Sequence, residues 1–310
     1  MANHEHLFRL ICLLFAAFVQ NINEISTLYA LELFSSNKER DLYVMPRPND
    51  CWLDYVLFNE DLNQAEHYFR KKLCMSRKTF FALLNKCGPK LVRKNTNLKS
   101  CLPPHKVLAI GLYRLSHGTS HSVTSNVFNV GKTTSEEAFK DVISVLKPLK
   151  EDFIKFPKSV SEKQSVIAGF DKISKIKNII GAIDGTHYCM QKPTMNAKDY
   201  WSRYSRYDVA CQAVCDSECR FLHFACIYPG SMHDARIFGL SDLESIVQEG
   251  LQRPLYYYGN HPVAPFLLGD SAYPLSSSLI KPYSDMSFDP KERHFNKELS
   301  RARVKIENAF

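Results

Sequence analysis

Glycine is scarce in this chain, 12 in 310 residues, and tryptophan scarcer still, at two. So little glycine, with no repeating spacing, excludes collagen-like and Gly-rich low-complexity chains. The ten cysteines include no CxxC pair. Scattered cysteines in a chain of this length exclude a small disulfide-dense secreted scaffold, and they read as free thiols in a reducing compartment. Cys211, Cys215 and Cys219 step by four, but no histidine completes a zinc-finger spacing. A G-x-S-x-G elbow is missing around Ser271, which weakens a serine-hydrolase reading. Long apolar runs are missing beyond the N-terminus. Residues 7–19 are nearly all apolar but are interrupted by Arg9, and they are too short for a comfortable membrane span. The following VQNINEIS offers no clean small-x-small cleavage site, so the run reads as a buried or partner-binding helix, with a signal or anchor as the alternative. No other segment is apolar enough to span a membrane.

Acidic residues are absent where basic ones concentrate. Residues 70–100 hold ten Lys or Arg and no Asp or Glu. A surface of one sign repels itself unless a polyanion lies against it, so the stretch is either a solvated helix face or a nucleic-acid surface. The net charge of +8 permits the second without requiring it. What the chain has in quantity is core material: 45% apolar residues, 20 Phe and 15 Tyr.

The pattern along the chain divides into three parts. Residues 1–50 hold the apolar run and a polar, Pro-containing linker at 36–50. Residues 51–160 are helical. Apolar positions Tyr68, Leu73, Phe80, Phe81 and Leu84 recur at helical spacing, with Ser76 as an N-cap. After Pro103, residues 105–116, 120–128 and 132–149 form a helix, a short helix, a turn at Asn129–Gly131 and a longer helix, which is the helix-turn-helix layout. Residues 165–310 change period. Strands are expected at 178–184, 209–214, 220–228 and 264–269, with a hairpin turn at Asp216-Ser217-Glu218, a short strand near 279–283 and a final helix from Glu298. Leu299, Ala302, Ile306 and Phe310 share one face of that helix. Strands interleaved with helices in this order make a mixed α/β sheet with flanking helices.

Four acids stand at special places in this pattern. Asp184 and Asp270 each end an apolar strand, Asp234 opens a helix, and Glu307 lies inside the last one. Each has an ordinary explanation: a turn cap for the first two, an N-cap for Asp234, a pair with Arg303 for Glu307. Jointly they can converge. Two unit charges about 4 Å apart cost roughly 4 kcal/mol at an effective dielectric of about 20, so such a cleft demands protons or divalent cations. Hard oxygen donors select Mg²⁺ or Mn²⁺, and two such ions suit phosphodiester cleavage. His187 and His233 lie near the acids and read as packing or hydrogen-bonding residues.

At these residues the chain resembles the PIF/Harbinger transposase-derived nucleases, a family of DDE superfamily endonucleases. The matching pieces are IIGAIDGTHYCMQKP (179–193), YPGSMHDARIF (228–238), LLGDSAYPL (267–275) and RARVKIENAF (301–310), with YFRKKLCMSRKTFFALL (68–84) and LAIGLYRLSHG (108–118) upstream. The resemblance implies an α/β, RNase H-like mixed sheet preceded by an all-α, helix-turn-helix-like region. It implies a catalytic triad of Asp184, Asp270 and Glu307, with Asp234 joining them as a metal ligand. It also implies a divalent cation, DNA as substrate, a Myb-like DNA-binding partner, and action in the nucleus, with the cytoplasm as a second compartment. In that family the last helix continues past Glu307. Here the sequence is written to Phe310, so the final turn is expected to fray and hold Glu307 loosely. The alternative function is a domesticated derivative that binds DNA or a partner without cutting.

Overall fold

A computed structural model of the chain describes residues 51–58, 62–95, 100–249, 256–258, 260–284, 286 and 288–310. The expectations for residues 7–19 and for the linker at 36–50 lie outside these. The chain falls into two compact units, up to Asp152 and from Phe153. None of the described helices is long and apolar enough to cross a membrane.

The first unit is helical. Its helices are α1 (Trp52–Phe58), α2 (Leu62–Leu73), α3 (Arg77–Cys87), α4 (Pro104–His117), α5 (His121–Val127) and α6 (Lys132–Leu146). Local chemistry sets their ends. The Ser76 hydroxyl accepts from the Thr79 N–H at 3.1 Å and starts α3, as expected. Pro104 opens α4, and Gly118 closes it in the left-handed region at φ 59°, where a side chain would be strained. Ser120 caps α5. α6 ends at Leu146, earlier than expected, because Pro148 has no N–H to continue the helix; residues 147–149 tighten into a 3₁₀ turn. α4 carries an unbroken buried run from Lys106 to Tyr113 and is the centre of the unit. In α2 and α3 the expected Leu73 and Phe80 are buried, together with Ala65, Phe69, Leu83 and Cys87, while Tyr68 and Phe81 face outward.

The second unit is a mixed sheet with helices against it. After α7 (Val160–Asp171), opened by a Ser159–Glu162 capping box, come β1 (Ile179–Cys189), β2 (Asp208–Cys215) and β3 (Phe221–Pro229). Then follow α8 (Asp234–Leu240), α9 (Leu243–Gln248), a ribbon of β4 (Tyr256–Tyr258) and β5 (His261–Val263), β6 (Phe266–Leu268), β7 (Leu279–Ile280) and α10 (Pro290–Ala309). The sheet order is β3-β2-β1-β6-β7. β1, β2 and β3 pair antiparallel, and β6 and β7 add in parallel. β2 is buried along its whole length, as a central strand covered on both sides must be. Ile180, Ile183, Val214, Phe238, Leu267 and Tyr273 meet in one core.

Three expectations are corrected here. β1 does not stop at Asp184 but runs on to Cys189, because β2 continues to pair with it after β6 has ended. Cys211 and Cys226 face one another across β2 and β3 and are joined as a disulfide, so the ten cysteines are not all free thiols; cross-strand register brings them together, and chain spacing does not reveal it. The last helix is regular through Ala309, where a loosened final turn is expected from the sequence. Ala309 is buried, the Phe310 N–H donates to the Ile306 carbonyl at 3.3 Å, and the Phe310 ring lies 5.9 Å from that of Phe221.

Candidate active site

The parallel pairing of β1 with β6 sets the first two acids side by side. Ala182 pairs with Leu268, and Asp184 and Asp270 each lie two residues further on. Strands rising together in register therefore deliver both carboxylates to the same level, where burial along β1 begins to fall. Each Asp uses one oxygen locally. Asp184 Oδ1 accepts from the Gly185 N–H at 2.8 Å, and Asp270 Oδ1 accepts from the Ala272 N–H at 2.9 Å. The turn-cap explanation is thus correct for half of each carboxylate and leaves Oδ2 for other work.

Asp234 enters from α8. His233 is the N-cap of that helix and Asp234 its first residue, so the N-cap explanation for Asp234 does not hold. Gly185 is what lets it approach: a Cβ there would sit 2.2 Å from Asp234 Oδ1. Glu307 arrives by a different route. Arg303, one turn earlier on α10, donates through Nη2 to Glu307 and through Nη1 to Asp184 Oδ2 at 3.3 Å. Arg303 therefore ties an exposed acid of the last helix to a mostly buried one on the central strand.

The electrostatics record the crowding. Burial pushes the Asp184 carboxyl up to about 6; the Gly185 N–H and Arg303 oppose the rise, and the charges of Asp270 and Asp234 add to it. Burial raises Asp234 too, followed by the charge of Asp270, against the pull of Arg203, His187 and His233. Tyr273 lies beneath, 1% exposed. Burial and the charges of Asp234, Asp184 and Asp270 push its hydroxyl far up, so it stays a neutral phenol. The Gln212 amide reaches that hydroxyl at 3.4 Å. His187 projects from β1 and is lowered by burial, so it is neutral at neutral pH; its Nδ1 stands 3.7 Å from the Asp208 carboxylate.

The structure thus brings Asp184, Asp234 and Asp270 within mutual electrostatic reach and links Glu307 to them through Arg303. Among the described residues, no three His, Cys, Asp or Glu side chains are arranged as a finished metal site. The donor set nonetheless fits a hard divalent cation: carboxylate oxygens only, with two carboxyls, those of Asp184 and Asp234, raised first by burial and also by the negative charge of Asp270. Two residues escaped the sequence reading. Arg303 was legible as a partner of Glu307 but not of Asp184, 119 positions away. Tyr273 gave no signal beyond standing three residues after Asp270.

The family model of the DDE superfamily endonucleases matches residues 183–310. The ALP1-like protein of Arabidopsis thaliana is 26% identical over 243 residues, covering 76% of this chain and 59% of that protein. The Arabidopsis thaliana antagonist of like heterochromatin protein 1 is 26% identical over 272 residues, 80% of this chain and 67% of that protein. Rattus norvegicus HARBI1, which is named as a candidate nuclease, is 23% identical over 247 residues, 79% and 67% of the two chains. The match to the first of these therefore spans less than two thirds of the relative's length. No solved structure gives a significant match. Over residues 183–310 the chain is similar to the DDE superfamily endonucleases, and along most of its length it is similar to Harbinger transposase-derived relatives.

Proposed function

We propose that this protein is a divalent-metal-dependent DNA endonuclease of transposase descent. The observation that carries the reading is the shared electrostatic neighbourhood of Asp184, Asp234 and Asp270 at the parallel edge of β1. Asp184, Asp270 and Glu307 are the catalytic acids in this reading, and all four acids are the ligands of Mg²⁺ or Mn²⁺. Bound divalent cations supply the Lewis acidity for phosphodiester hydrolysis. The protein's part is positioning. The backbone bonds of Gly185 and Ala272 fix the Asp184 and Asp270 carboxylates, and Arg303 orients Glu307 toward Asp184. Tyr273 remains an uncharged floor that adds no further negative charge. Metal-dependent nicking of supercoiled plasmid tests the proposal.

Gly185→Ala gives a graded version of that test. The added methyl forces the Asp234 carboxylate aside, and misplacement by about 1 Å costs on the order of a hundredfold in rate. Plasmid nicking is expected to fall by about that factor while the circular dichroism spectrum is unchanged; full activity would remove Asp234 from the site.

A second reading, a domesticated derivative that binds DNA or a partner without cutting, is favoured by one observation. The Arg303 guanidinium already pairs with both Asp184 and Glu307. Nicking that Mg²⁺ fails to elicit in the intact protein decides for it.

In either reading the helical unit is the DNA-holding part. α4, α5 and α6 follow the helix-turn-helix order, and Lys132 and Thr133 are exposed at the start of α6, where a recognition helix meets base edges. Further along α6, Glu137 and Asp141 pair with Arg93, so that face is unsuited to DNA. Within residues 70–100, Arg70 and Lys86 are also paired, whereas Lys71, Lys78, Lys90 and Lys94 are exposed. Four phosphate contacts of this kind predict that log Kobs falls with log salt at a slope of roughly −3.6, at about −0.9 per contact. A flat response in a filter-binding titration would take this stretch off the DNA surface. The same proposal includes a Myb-like DNA-binding partner and a nuclear location, which co-precipitation and imaging of the tagged protein test.

A further inference from the structure

The segment between β1 and β2, residues 190–207, contributes no acid to the carboxylate cluster, yet its Arg203 lies within electrostatic reach of Asp234 and Asp270. Its base is firmly pinned. The Met190 N–H donates to the Tyr207 carbonyl at 2.8 Å, the Ser202 N–H donates to the Arg206 carbonyl at 2.9 Å, and Trp201 bridges Tyr207. Asp208 anchors the turn from below. It is fully buried, accepts from the Ser202 hydroxyl at 2.7 Å, and accepts from Arg206 Nε at 2.8 Å. Ser205 closes the turn in the left-handed region at φ 56°.

This rigid base presents large aromatic surface to solvent. Trp201 is 48% exposed and Tyr204 51%. The Arg203 and Arg206 guanidinium carbons lie 5.1 and 5.5 Å from the centre of the Tyr204 ring. Single exposed aromatics are ordinary. Two on one pinned turn, flanked by arginines, need an account, and their location supplies one. The Tyr204 ring meets His187 edge-on at 5.3 Å, and His187 lies within electrostatic reach of Asp234. Arg203 lies within reach of both Asp234 and Asp270. Lys192 and Lys198 are exposed on the same segment, which makes the surface around the aromatics basic. Aromatic faces take bases regardless of sequence, and the basic surround takes the backbone.

We propose that this turn is a stacking platform for an unpaired nucleotide of the DNA strand, next to the phosphodiester presented to Asp184, Asp234 and Asp270. Trp201 and Tyr204 take the base. Arg203 takes the adjoining phosphate: one of its Nη groups donates to the Tyr204 hydroxyl at 3.0 Å, which holds it beside the ring, whereas Arg206 is ion-paired with Asp208. The inference rests on the endonuclease reading for its substrate, but it is measurable without any metal.

The whole chain in EDTA is titrated with a short oligo(dT) and, separately, with a blunt duplex. The chain has two tryptophans, so Trp52→Phe leaves Trp201 as the sole reporter. Oligo(dT) is expected to quench Trp201 fluorescence and the duplex is not. Tyr204→Ala is expected to weaken oligo(dT) binding by about tenfold, Tyr204→Phe to retain it, and both to bind duplex as the parent does. Arg203→Gln, at an exposed site, is expected to lower the salt slope for oligo(dT) by about 0.7 and covers the case in which Tyr204→Ala fails to fold. An unquenched Trp201 in a complex that anisotropy shows to be saturated would overturn the proposal, as would unchanged affinity in a folded Tyr204→Ala together with an unchanged slope in Arg203→Gln. Plasmid nicking with Mg²⁺ in the same preparation reports the endonuclease reading alone. Nicking without quenching sinks the platform only, and quenching without nicking sinks the nuclease only.

Discussion

If the protein is the proposed nuclease, Asp184→Asn and Asp270→Asn are each expected to abolish metal-dependent plasmid nicking, with affinity for duplex DNA staying within about threefold, because phosphate contacts elsewhere dominate binding. Asparagine is the informative replacement. Its side-chain oxygen keeps the bond from the Gly185 N–H at position 184 and from the Ala272 N–H at position 270, so the turns survive and only the charge is lost. Asp270→Ala gives the same loss of cleavage but removes the turn bond as well. Nicking by these variants at the parent's rate would take both aspartates out of the chemistry. Loss of DNA binding in parallel with cleavage would mean that the substitutions had damaged the fold rather than the reaction.

Metal-free protein is expected to lose stability as pH rises through the range in which Asp184 ionises, and Asp184→Asn to suppress part of that loss. The sign follows from proton counts. Asp184 titrates at about 6 in the folded protein against 3.8 unfolded. Between those values the folded state holds the extra proton, so stability falls with rising pH, and above about pH 6 the penalty is complete. Near 1.36 kcal/mol per unit, it reaches on the order of 3 kcal/mol. Burial raises Asp234 in the same direction, so its contribution adds. Thermal melts in EDTA are therefore expected to show Asp184→Asn more stable than the parent at neutral pH by several degrees, with the gap closing toward pH 4. Adding Mg²⁺ at neutral pH raises the parent's melting temperature and leaves the variant's in place. Parent and variant melts that coincide at every pH would mean that Asp184 carries no such strain.

The course of the chain was largely written in its sequence, and the site partly so. Ser76, Gly118 and Ser120 act through neighbours within a few residues, so the helix ends they define could be read in advance. The β2–β3 hairpin was equally local. β1 was read short because its apolar half ends at Ile183, and only pairing with β2 carries it on to Cys189. The disulfide between Cys211 and Cys226 depends on strand register, which no spacing rule encodes. At the site, the residue types and their places at strand and helix ends singled out the four acids. Their ordering in space was not legible. The in-register rise of Asp184 and Asp270 depends on parallel pairing of strands more than 80 residues apart in sequence, and the bridge from Arg303 to Asp184 on a contact 119 residues long.

In the proposed function Asp184, Asp234 and Asp270 together answer to a divalent cation. Calorimetric titration of Mn²⁺ into the metal-stripped protein measures this without any DNA. Saturable binding is predicted, weakened by roughly tenfold or more in Asp184→Asn and in Asp270→Asn, since even outer partners of a metal site carry about that much. Glu244→Gln, at an exposed position on α9, is predicted to bind as the parent does. No uptake of Mn²⁺ by the intact protein, or equal uptake by all four proteins, would contradict it.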